Sequence, residues 1–523
     1  MNLAHTLLDQ VRQWPNAPAI IDTYRGRSRF TSFAQLDHSA ARVARLLTDQ
    51  GLQAGDAVLV FHPMSAELYV ALLAIFRLRL VAMFLDPSAG REHIQCCCEL
   101  HPPRALIAST KAHLLRLFSR ALRRIPVKFV IGWTVPGAVR WSRAERLSPL
   151  SEVRDCGADT PALLTFTSGS TGQPKAAVRT HGFLLAQHRV LAENLHLTAG
   201  DVDLPTLPIV LLANLGSGVT SLVPDADLRF PGAIRPEPVV AQMLTHRAAS
   251  SVASPAFFEC LARYCNERHV TLPHVRKLFT GGAPVFPRLL EQMQAMAPKA
   301  DVVAVYGSTE AEPIAHVSRT AMRPDDGKAM LAGRGLLAGP PVTSIALRIL
   351  RDHWGTPVGP WTHAEFESEC CPPGEPGEIV VSGEHVLSGY LHGRGDEETK
   401  FRVDGTVWHR TGDAGYLDAE GRLWLLGRCG ARIRDGRGDL YPFAAETALY
   451  QDSRVRRAAV VAHKGKRVLA VEFYNQRGTP NVESLKAALA WTHLDEVRIL
   501  RQVPVDRRHN AKIDYPSLHQ LLG

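Results

Sequence analysis

One loop limits what this chain can fold into more than any other feature. Residues 165–175 read Thr-Phe-Thr-Ser-Gly-Ser-Thr-Gly-Gln-Pro-Lys, with apolar residues at 162–164 and 176–178 on either side. This pattern predicts a tight connection between two strands. Gly169 and Gly172 let the backbone approach an anion closely, and Lys175 adds a positive charge. Hydroxyl groups that can donate to phosphate oxygens come from Thr167, Ser168, Ser170 and Thr171. We therefore predict a phosphate-binding loop, with a flexible Ser/Gly turn as the alternative.

The loop differs from the P-loop of nucleoside triphosphatases. That motif ends in Gly-Lys-Ser/Thr, whereas here Pro174 precedes the lysine and Ala176 follows it. The sequence therefore argues against a Walker-type kinase or ATPase.

Charge, cysteine spacing and apolar stretches limit which classes of ligand and partner we expect for the chain. The formal charge of +9 permits anionic small molecules, an acidic protein partner or a membrane surface as ligands. We expect the basic residues to be scattered, and they accompany no nucleic-acid-binding motif, so no nucleic-acid partner is predicted. The nine cysteines lack the C-x-x-C spacing of zinc sites, and no signal peptide is recognised, which predicts reduced thiols and a cytoplasmic location. Arg77 and Arg79 interrupt the most apolar stretch, residues 68–85, which predicts a core helix and strand and no transmembrane segment.

The order of apolar runs predicts the fold class. Strand-like and helical patterns alternate up to about residue 306, which indicates layered α/β architecture with parallel sheets. Short strands and turns dominate from about residue 340, and alternation returns after residue 428. With 523 residues, of which 46% are hydrophobic, the chain can bury more than one core. The predicted strands and helices are 57–61, 65–78, 127–131, 163–166, 183–195, 302–306, 379–381, 458–461, 468–473 and 482–491.

Further segments of the chain, taken together with the loop, resemble the motifs of a known family. Together with residues 167–175, the chain resembles the adenylate-forming superfamily, which includes acyl-CoA synthetases, peptide-synthetase adenylation domains and luciferases. The segments follow the family's order and are Gly281-Gly-Ala-Pro284, Tyr306-Gly-Ser-Thr-Glu310, Trp408-His-Arg-Thr-Gly-Asp413, Gly415-Tyr-Leu-Asp418, Gly427-Arg428 and Asn510-Ala-Lys512-Ile.

Within that superfamily the chain looks most like the olefin-pathway β-lactone synthetases. These enzymes adenylate a β-hydroxy fatty acid and let its own hydroxyl close the ring. The residues that carry this likeness are Val223-Pro-Asp225, Ser254-Pro-Ala256, Arg263-Tyr-Cys265, Gly281-Gly-Ala-Pro-Val285, Trp408-His-Arg410, Gly421-Arg-Leu-Trp424 and Arg508-His-Asn-Ala-Lys512.

The resemblance implies a domain layout. A large N-terminal domain, residues 1–428, would contain layered αβ subdomains and a small β-rich subdomain at about 335–428. A small, mobile α/β lid domain would follow at 429–523.

The resemblance also implies ATP and Mg2+ as cofactors and assigns residue roles. Glu310 and Thr167 would bind the metal, and both count as catalytic together with Lys512, which would contact the carboxylate and the α-phosphate. Tyr306 would stack on adenine, and Asp413 would accept both ribose hydroxyls with support from Arg428. A core tyrosine, a turn aspartate, a solvated glutamate and a surface lysine are the plain alternatives. The implied nucleotide-binding residues are Thr167, Ser168, Gly169, Ser170, Thr171, Gly172, Lys175, Gly282, Ala283, Pro284, Tyr306, Gly307, Ser308, Thr309, Asp413 and Arg428.

Some positions depart from the family pattern. Ala431 replaces the usual charged hinge residue, and Gly436 and Gly438 predict a loose segment where the family shapes its thioester-forming conformation. Residues 207–214 lack the usual aromatic or histidine gate and leave an apolar wall suited to an alkyl or aryl acid. Arg79 stands where the family usually has glycine.

These features predict ATP-dependent activation of a carboxylic acid to acyl-AMP with release of pyrophosphate. The preferred second step is β-lactone closure of a β-hydroxy fatty acid or transfer to an acyl carrier protein. The alternatives are a conventional acyl-CoA or aryl-CoA ligase and, in another class, a non-catalytic binding protein with the adenylate-forming fold.

Overall fold

The computed structural model describes residues 1–85, 90–168, 174–450, 452, 454–474, 482–505 and 513–523, except for the side chains of Thr167 and Ser168. The chain forms two compact units. Unit 1 contains residues 1–225 and 387–396, and unit 2 contains residues 226–386 and 397–523.

Unit 1 alternates helices and strands, as the apolar pattern predicted. Its elements are α1 Ala4–Gln13, β1 Pro18–Tyr24, β2 Arg27–Ser32, α2 Phe33–Asp49, β3 Ala57–Phe61, α3 Ala66–Arg77, β4 Val81–Phe84, α4 Arg91–Leu100, β5 Ala105–Ser109, α5 Leu115–Phe118, α6 Arg120–Arg124, β6 Val127–Ile131, β7 Val139–Arg140, β8 Pro161–Ser168, β9 Pro174–Thr180, α7 His181–Asn194, β10 Val202–Pro205, α8 Pro208–Gly216 and β11 Thr220–Leu222.

The largest sheet of unit 1 has the order β7-β6-β5-β3-β4-β8-β9. All its neighbouring strands are parallel except β8 and β9, which run antiparallel on either side of the predicted phosphate loop. A second group of strands runs β10-β11-β1-β2. The apolar helix α3 is buried along nearly its whole length, as expected for a core helix covering parallel strands.

Arg79 follows α3 in the left-handed conformation, with φ at 60°. The amide of Leu80 donates to the carbonyl of Ile75 at 3.0 Å, and that of Arg79 donates to Phe76 at 3.1 Å. Glycine is the residue that adopts this helix-ending conformation without strain. The structure therefore explains why a glycine is usual at this position.

Unit 2 combines a parallel sheet, an antiparallel sheet and a C-terminal α/β region. Its elements are α9 Pro236–Thr245, β12 Ser250–Ala253, α10 Pro255–Arg268, β13 Lys277–Gly281, α11 Pro287–Met296, β14 Asp301–Ser308, β15 Ala311–Ser318, α12 Pro324–Leu331, β16 Leu336–Gly339, β17 Ala346–Leu350, α13 His363–Glu369, β18 Gly377–Ser382, α14 Asp396–Thr399, β19 Lys400–Val403, β20 Thr406–Leu417, β21 Leu423–Arg428, β22 Ile433–Asp435, β23 Gly438–Leu440, α15 Pro442–Leu449, β24 Val455–His463, β25 Lys466–Phe473, α16 Val482–Ala488, β26 Glu496–Ile499 and α17 Tyr515–Leu522.

Three sheets and the two-stranded β22–β23 hairpin organise the described part of unit 2. Strands β12, β13 and β14 are parallel, and β15 is antiparallel to β14. The predicted β-rich part forms an antiparallel sheet in the order β16-β21-β20-β18-β17, with β19 on β20. The C-terminal strands follow the order β24-β25-β26, and two apolar clusters built only from residues 433–522 cover them.

The predicted mixed α/β fold class is confirmed. The predicted boundary between residues 428 and 429 lies inside unit 2 and stays a prediction, although the separate apolar clusters of residues 433–522 agree with it. Among the described residues, none of the helices has the length and apolar character needed to cross a bilayer. All nine cysteines are free.

Candidate active site

Asp413 is the centre of a hydrogen-bonded group in unit 2. It faces Arg428 across the β20–β21 hairpin, and its Oδ1 lies 3.1 Å from Arg428 Nε. The Tyr306 hydroxyl donates to Oδ2 at 2.7 Å. Both carboxylate oxygens therefore have a partner, and the carboxylate raises the pKa of Arg428. Asp413 remains 21% exposed, so the carboxylate can still accept a hydrogen bond from a ligand.

The backbone before Asp413 has a fixed shape. The Thr411 hydroxyl donates to the carbonyl of Ile379 at 2.8 Å and accepts from the amide of Asp413 at 3.0 Å. Gly412 has φ at 69°, and a side chain there would meet the Trp354 ring at 2.8 Å. Only glycine fits this position, which explains the Thr-Gly-Asp order. Trp354 is a positioning residue that the sequence did not single out.

A buried ion pair supports the same strand. Arg410 and Glu378 are 2% and 0% exposed, and Glu378 Oε2 accepts from Nε and Nη2 of Arg410 at 2.9 and 2.6 Å. Burial raises the pKa of Glu378, and the guanidinium opposes this shift. The pair joins β18 to β20 next to Thr411. The strand predicted at 379–381 begins earlier in the structure, at Gly377, so Glu378 belongs to β18.

Tyr306 and the small residues at 281–284 come together at one edge of the parallel sheet. Gly281 ends β13 opposite Val305 of β14, and a side chain on Gly281 would lie 2.5 Å from the Val305 carbonyl. Burial raises the pKa of Tyr306 well above its usual range, so this side chain is a neutral donor. Gly282 is exposed, and Ala283 and Pro284 are half-buried, so these predicted base-lining residues are open to a ligand.

Glu310 lies in the turn between β14 and β15. Its amide donates to the Ser308 hydroxyl at 3.2 Å, and a side chain on Gly307 would lie 3.0 Å from the Ala311 carbonyl. Glu310, Ser308 and Thr309 are half-buried. The Glu310 carboxylate contributes to the raised pKa of Arg428, which brings it into the electrostatic field of the Asp413 group.

His409, which the sequence analysis did not count as a site residue, is also close to Glu310. It is 3% exposed and contacts the Thr399 carbonyl through Nδ1 at 3.2 Å. Burial lowers the pKa of His409 to about 3, with Lys400 acting in the same direction and Glu310 opposing it. His409 is therefore a neutral side chain and supplies no charge to the site.

The metal prediction rests on Glu310. No group of three or more histidine, cysteine, aspartate or glutamate side chains arranged to hold a metal occurs in the described part of the chain. Mg2+ that is also bound by nucleotide phosphates needs only one or two protein carboxylates, so the residues present fit this mode of binding. The side chain of Thr167, the second predicted ligand, lies outside the description.

Lys175 belongs to unit 1. It is 9% exposed on β9 and pairs in register with Thr167 of β8. A side chain on Gly395 would lie 2.7 Å from Lys175 Nζ, so a larger residue at position 395 would clash with the lysine side chain. Residue 390 of the same segment bridges to Ala177.

The strands therefore hold Lys175 beside the ends of the predicted phosphate loop. The other predicted loop residues, Gly169, Ser170, Thr171 and Gly172, and the predicted catalytic Lys512 lie outside the described residues. Ser168 is described only as part of the β8 backbone.

The segment after Arg428, residues 429–450, is ordered by ion pairs. Strands β22 and β23 form a hairpin whose Asp435 accepts from Nε and Nη2 of Arg467 at 2.8 and 2.7 Å. Arg432 lies 3.0 Å from Asp352, and the Tyr441 hydroxyl donates to the same carboxylate at 3.3 Å. Gly436 and Gly438, which predicted a loose segment, therefore lie in a hairpin region with charged side chains paired on either side.

Comparisons with known proteins agree with this geometry. Residues 7–391 match the AMP-binding enzyme family. The chain is 31% identical over 511 residues to an olefin beta-lactone synthetase of Stenotrophomonas maltophilia and 32% identical over 515 residues to one of Xanthomonas campestris, covering 93% of this chain and 90% of each relative. The crystal structure of ATP-bound MatB from Rhodopseudomonas palustris superimposes with a TM-score of 0.80 at 21% identity, covering 100% of this chain and 99% of that one.

Proposed function

Because the chain belongs to the AMP-binding enzyme family and is an ATP-dependent adenylate-forming ligase, we propose that it closes a β-hydroxy fatty acid into a β-lactone. The group formed by Tyr306, Asp413 and Arg428 is the observation that carries the adenylation half of this proposal. The ring-closing half is supported by the two olefin beta-lactone synthetases, which align over nearly the whole chain.

In the first step, a carboxylate oxygen of the acid attacks the α-phosphorus of ATP, and pyrophosphate leaves. Asp413 accepts hydrogen bonds from the ribose hydroxyls, and Tyr306 supports the base while holding Asp413 in place. Lys175 and the preceding loop bind phosphate oxygens. Mg2+ held at Glu310 would neutralise phosphate charge. Lys512 stabilises the charge that builds on the carboxylate and the α-phosphate.

In the second step, the β-hydroxyl of the acyl adenylate attacks its own carbonyl carbon. The carbon–oxygen bond to AMP breaks, the hydroxyl proton leaves, and a four-membered ring forms. This nucleophile is already held in the same molecule, so the step needs no external acceptor. Transfer to an acyl carrier protein is the second proposed route for the adenylate.

The acid is proposed to be apolar because of helix α8. The wall at residues 207–214 has no aromatic or histidine side chain, and its apolar residues Leu207, Ile209 and Leu212 are half-buried. Asn214 is its polar member, and its Nδ2 is occupied by Asp203 at 2.8 Å and Ser221 at 3.2 Å. An alkyl chain fits such a wall better than a charged group does.

A conventional CoA ligase remains the second candidate. Pro442 and Glu446, which the family's usual thioester-forming segment contains, are both present at the start and middle of α15. Ala431 at the usual hinge position favours the first proposal, because an acceptor that is displaced by an altered hinge loses rate steeply.

The two candidates separate in one experiment. Purified enzyme receives ATP, Mg2+ and either a long-chain β-hydroxy acid or the same acid without its hydroxyl, with and without CoA. We expect continuous pyrophosphate release and a product lighter than the hydroxy acid by one water, independent of CoA. The acid without the hydroxyl should give only bound adenylate. Acyl-CoA formed as fast as pyrophosphate is released would promote the CoA ligase instead.

A further inference from the structure

Basic residues are concentrated in one part of unit 1. Residues 100–144 contain nine lysines and arginines and no aspartate or glutamate. The earlier expectation of scattered basic residues therefore does not hold for this stretch. A run of this length without any acidic residue creates a local positive field that attracts anionic surfaces.

The same stretch exposes large apolar side chains. Leu114 is 59% exposed, Leu117 65%, Phe118 69% and Trp133 85%. Single exposed apolar residues are ordinary, whereas a group of them beside basic residues indicates a binding surface.

The topology brings these residues to one edge of the seven-stranded sheet. Strands β5 and β6 are parallel neighbours with Ser109 opposite Ile131, so the segments that follow them leave the sheet side by side. The Trp133 amide donates to the Thr110 hydroxyl at 2.8 Å. Arg116 of α5 donates to the Pro136 carbonyl at 3.2 Å, which fixes the Trp133 loop beside α5.

We define the edge patch as the exposed residues Leu114, Leu117, Phe118 and Trp133 with the exposed basic residues Lys111, Arg120 and Arg124. We propose that the edge patch binds the surface of an anionic lipid bilayer. Apolar side chains enter the boundary between headgroups and acyl chains, where tryptophan is favoured, while arginine and lysine contact lipid phosphates.

Other occupants suit the edge patch less well. A symmetric contact with a second copy would place two positively charged patches against each other. Nucleic acid would satisfy the arginines but would leave exposed leucine and phenylalanine side chains without an apolar partner. A bilayer satisfies both kinds of side chain.

The edge patch also lies on the functionally relevant side of the sheet. Strand β8, which ends at Ser168 before the predicted phosphate loop, is parallel to β4, and β4, β3 and β5 are parallel in turn. The carboxyl ends of β5, β6 and β8 therefore share one edge. Docking of this edge on a membrane would bring the end of β8 close to an acid that the membrane supplies. The membrane proposal goes beyond the proposed function and does not depend on which acid is activated.

Vesicle co-sedimentation of the full chain tests the proposal. Vesicles of phosphatidylcholine with about one-third phosphatidylglycerol should bind the protein, and pure phosphatidylcholine should bind it about tenfold more weakly. Binding should fall as salt is raised. Phe118→Ser/Trp133→Ser should weaken binding by about tenfold, and Arg120→Gln/Arg124→Gln by a similar factor.

Phe230→Ser in unit 2 is the matched control, since Phe230 is 56% exposed and lies outside the edge patch. It should bind vesicles as the wild type does, and thermal unfolding checks that every variant is folded. The proposal is overturned if wild-type protein ignores anionic vesicles, binds both lipids equally, or loses nothing in either double variant. Binding to duplex DNA without vesicle binding, or a dimer that the apolar double variant separates while vesicle binding stays unchanged, would also overturn it.

Discussion

The segments before and after Arg428 are stabilised by different contacts. Before it, the β20–β21 hairpin carries Asp413, whose oxygens bond Tyr306 and Arg428 over a buried Arg410–Glu378 pair. After it, residues 429–450 form ion pairs with Arg467 and Asp352, and Ala431 stands at the usual hinge position. The first region follows the family pattern closely, and the second departs from it.

This difference supports the proposal that the chain adenylates an acid without passing it to CoA. Adenylation needs the nucleotide held by a few fixed donors and acceptors, and Tyr306 and Arg428 both contact Asp413, the residue proposed to bind the ribose. The thioester-forming segment of the family usually has a charged hinge residue, whereas this chain has Ala431 at that position.

Loss of Lys512 should have the largest effect. Lys512→Ala removes a charge that acts mainly in the transition state, so adenylation should slow by about a hundredfold or more while the Kd for ATP changes little. Rapid-quench measurement of acyl-AMP checks this. Lys466→Ala is the control, since Lys466 is 60% exposed on β25. Equal rates in both variants would show that Lys512 is an ordinary surface lysine.

Asp413→Asn should come next. The substitution keeps the shape but removes the charge that pairs with Arg428, and charge-assisted hydrogen bonds typically contribute about 1.5–3 kcal/mol. We expect kcat/KM for ATP to fall by about tenfold to a hundredfold, mostly through KM. Asp418→Asn tests the turn of the same hairpin, where Asp418 bonds Arg422 and Trp424. If both variants lose the same activity, the ribose role of Asp413 is wrong.

Glu446 gives the segment after Arg428 a pH dependence. Burial raises the pKa of Glu446 from its usual 4.5 to about 7, with the Tyr515 hydroxyl donating to it at 3.1 Å. A raised folded pKa favours the native state at low pH, and this advantage is lost as pH rises from about 4.5 through 7.

The Glu446→Gln variant should therefore gain about 2–3 kcal/mol over wild type between pH 5 and pH 8. Denaturant unfolding at several pH values measures this difference. A stability gap that stays constant with pH would mean that the carboxyl ionises in the fold as it does in water.

Arg79 marks a departure that we expect to have no effect on the reaction. With φ at 60°, Arg79→Gly should raise the free energy of unfolding by about 0.5–1 kcal/mol and leave adenylation unchanged. Gln50 follows α2 with φ at −93°, a conformation that does not favour glycine. Gln50→Gly should therefore lower the free energy of unfolding. A decrease in both variants would show that contacts of the Arg79 side chain outweigh the backbone strain.

Local patterns made much of this architecture predictable. The apolar run at 57–61 and the helical stretch at 65–78 match β3 and α3, because burial against parallel strands leaves a clear periodic signal. The predicted phosphate loop follows β8 and precedes β9, as the apolar runs on its two sides indicated. Asp413 and Tyr306 could be named because their motifs are compact in sequence.

Contacts between distant segments could not be predicted. Trp354 packs on Gly412 and Glu378 pairs with Arg410, but neither spacing follows a local rule. The ion pair between Asp435 of the β22–β23 hairpin and Arg467 could not be predicted either, because the two residues are more than thirty positions apart. The edge patch was missed because adjacency of β5 and β6 is a tertiary property.

Exchange of labelled pyrophosphate into ATP tests the central claim most directly, because it reports adenylation alone. With a panel of acids from short aryl to long β-hydroxyalkyl, the account predicts exchange that requires the acid, is strongest for an apolar chain and is unaffected by CoA. A folded protein that shows no acid-dependent exchange with any member of the panel would contradict it.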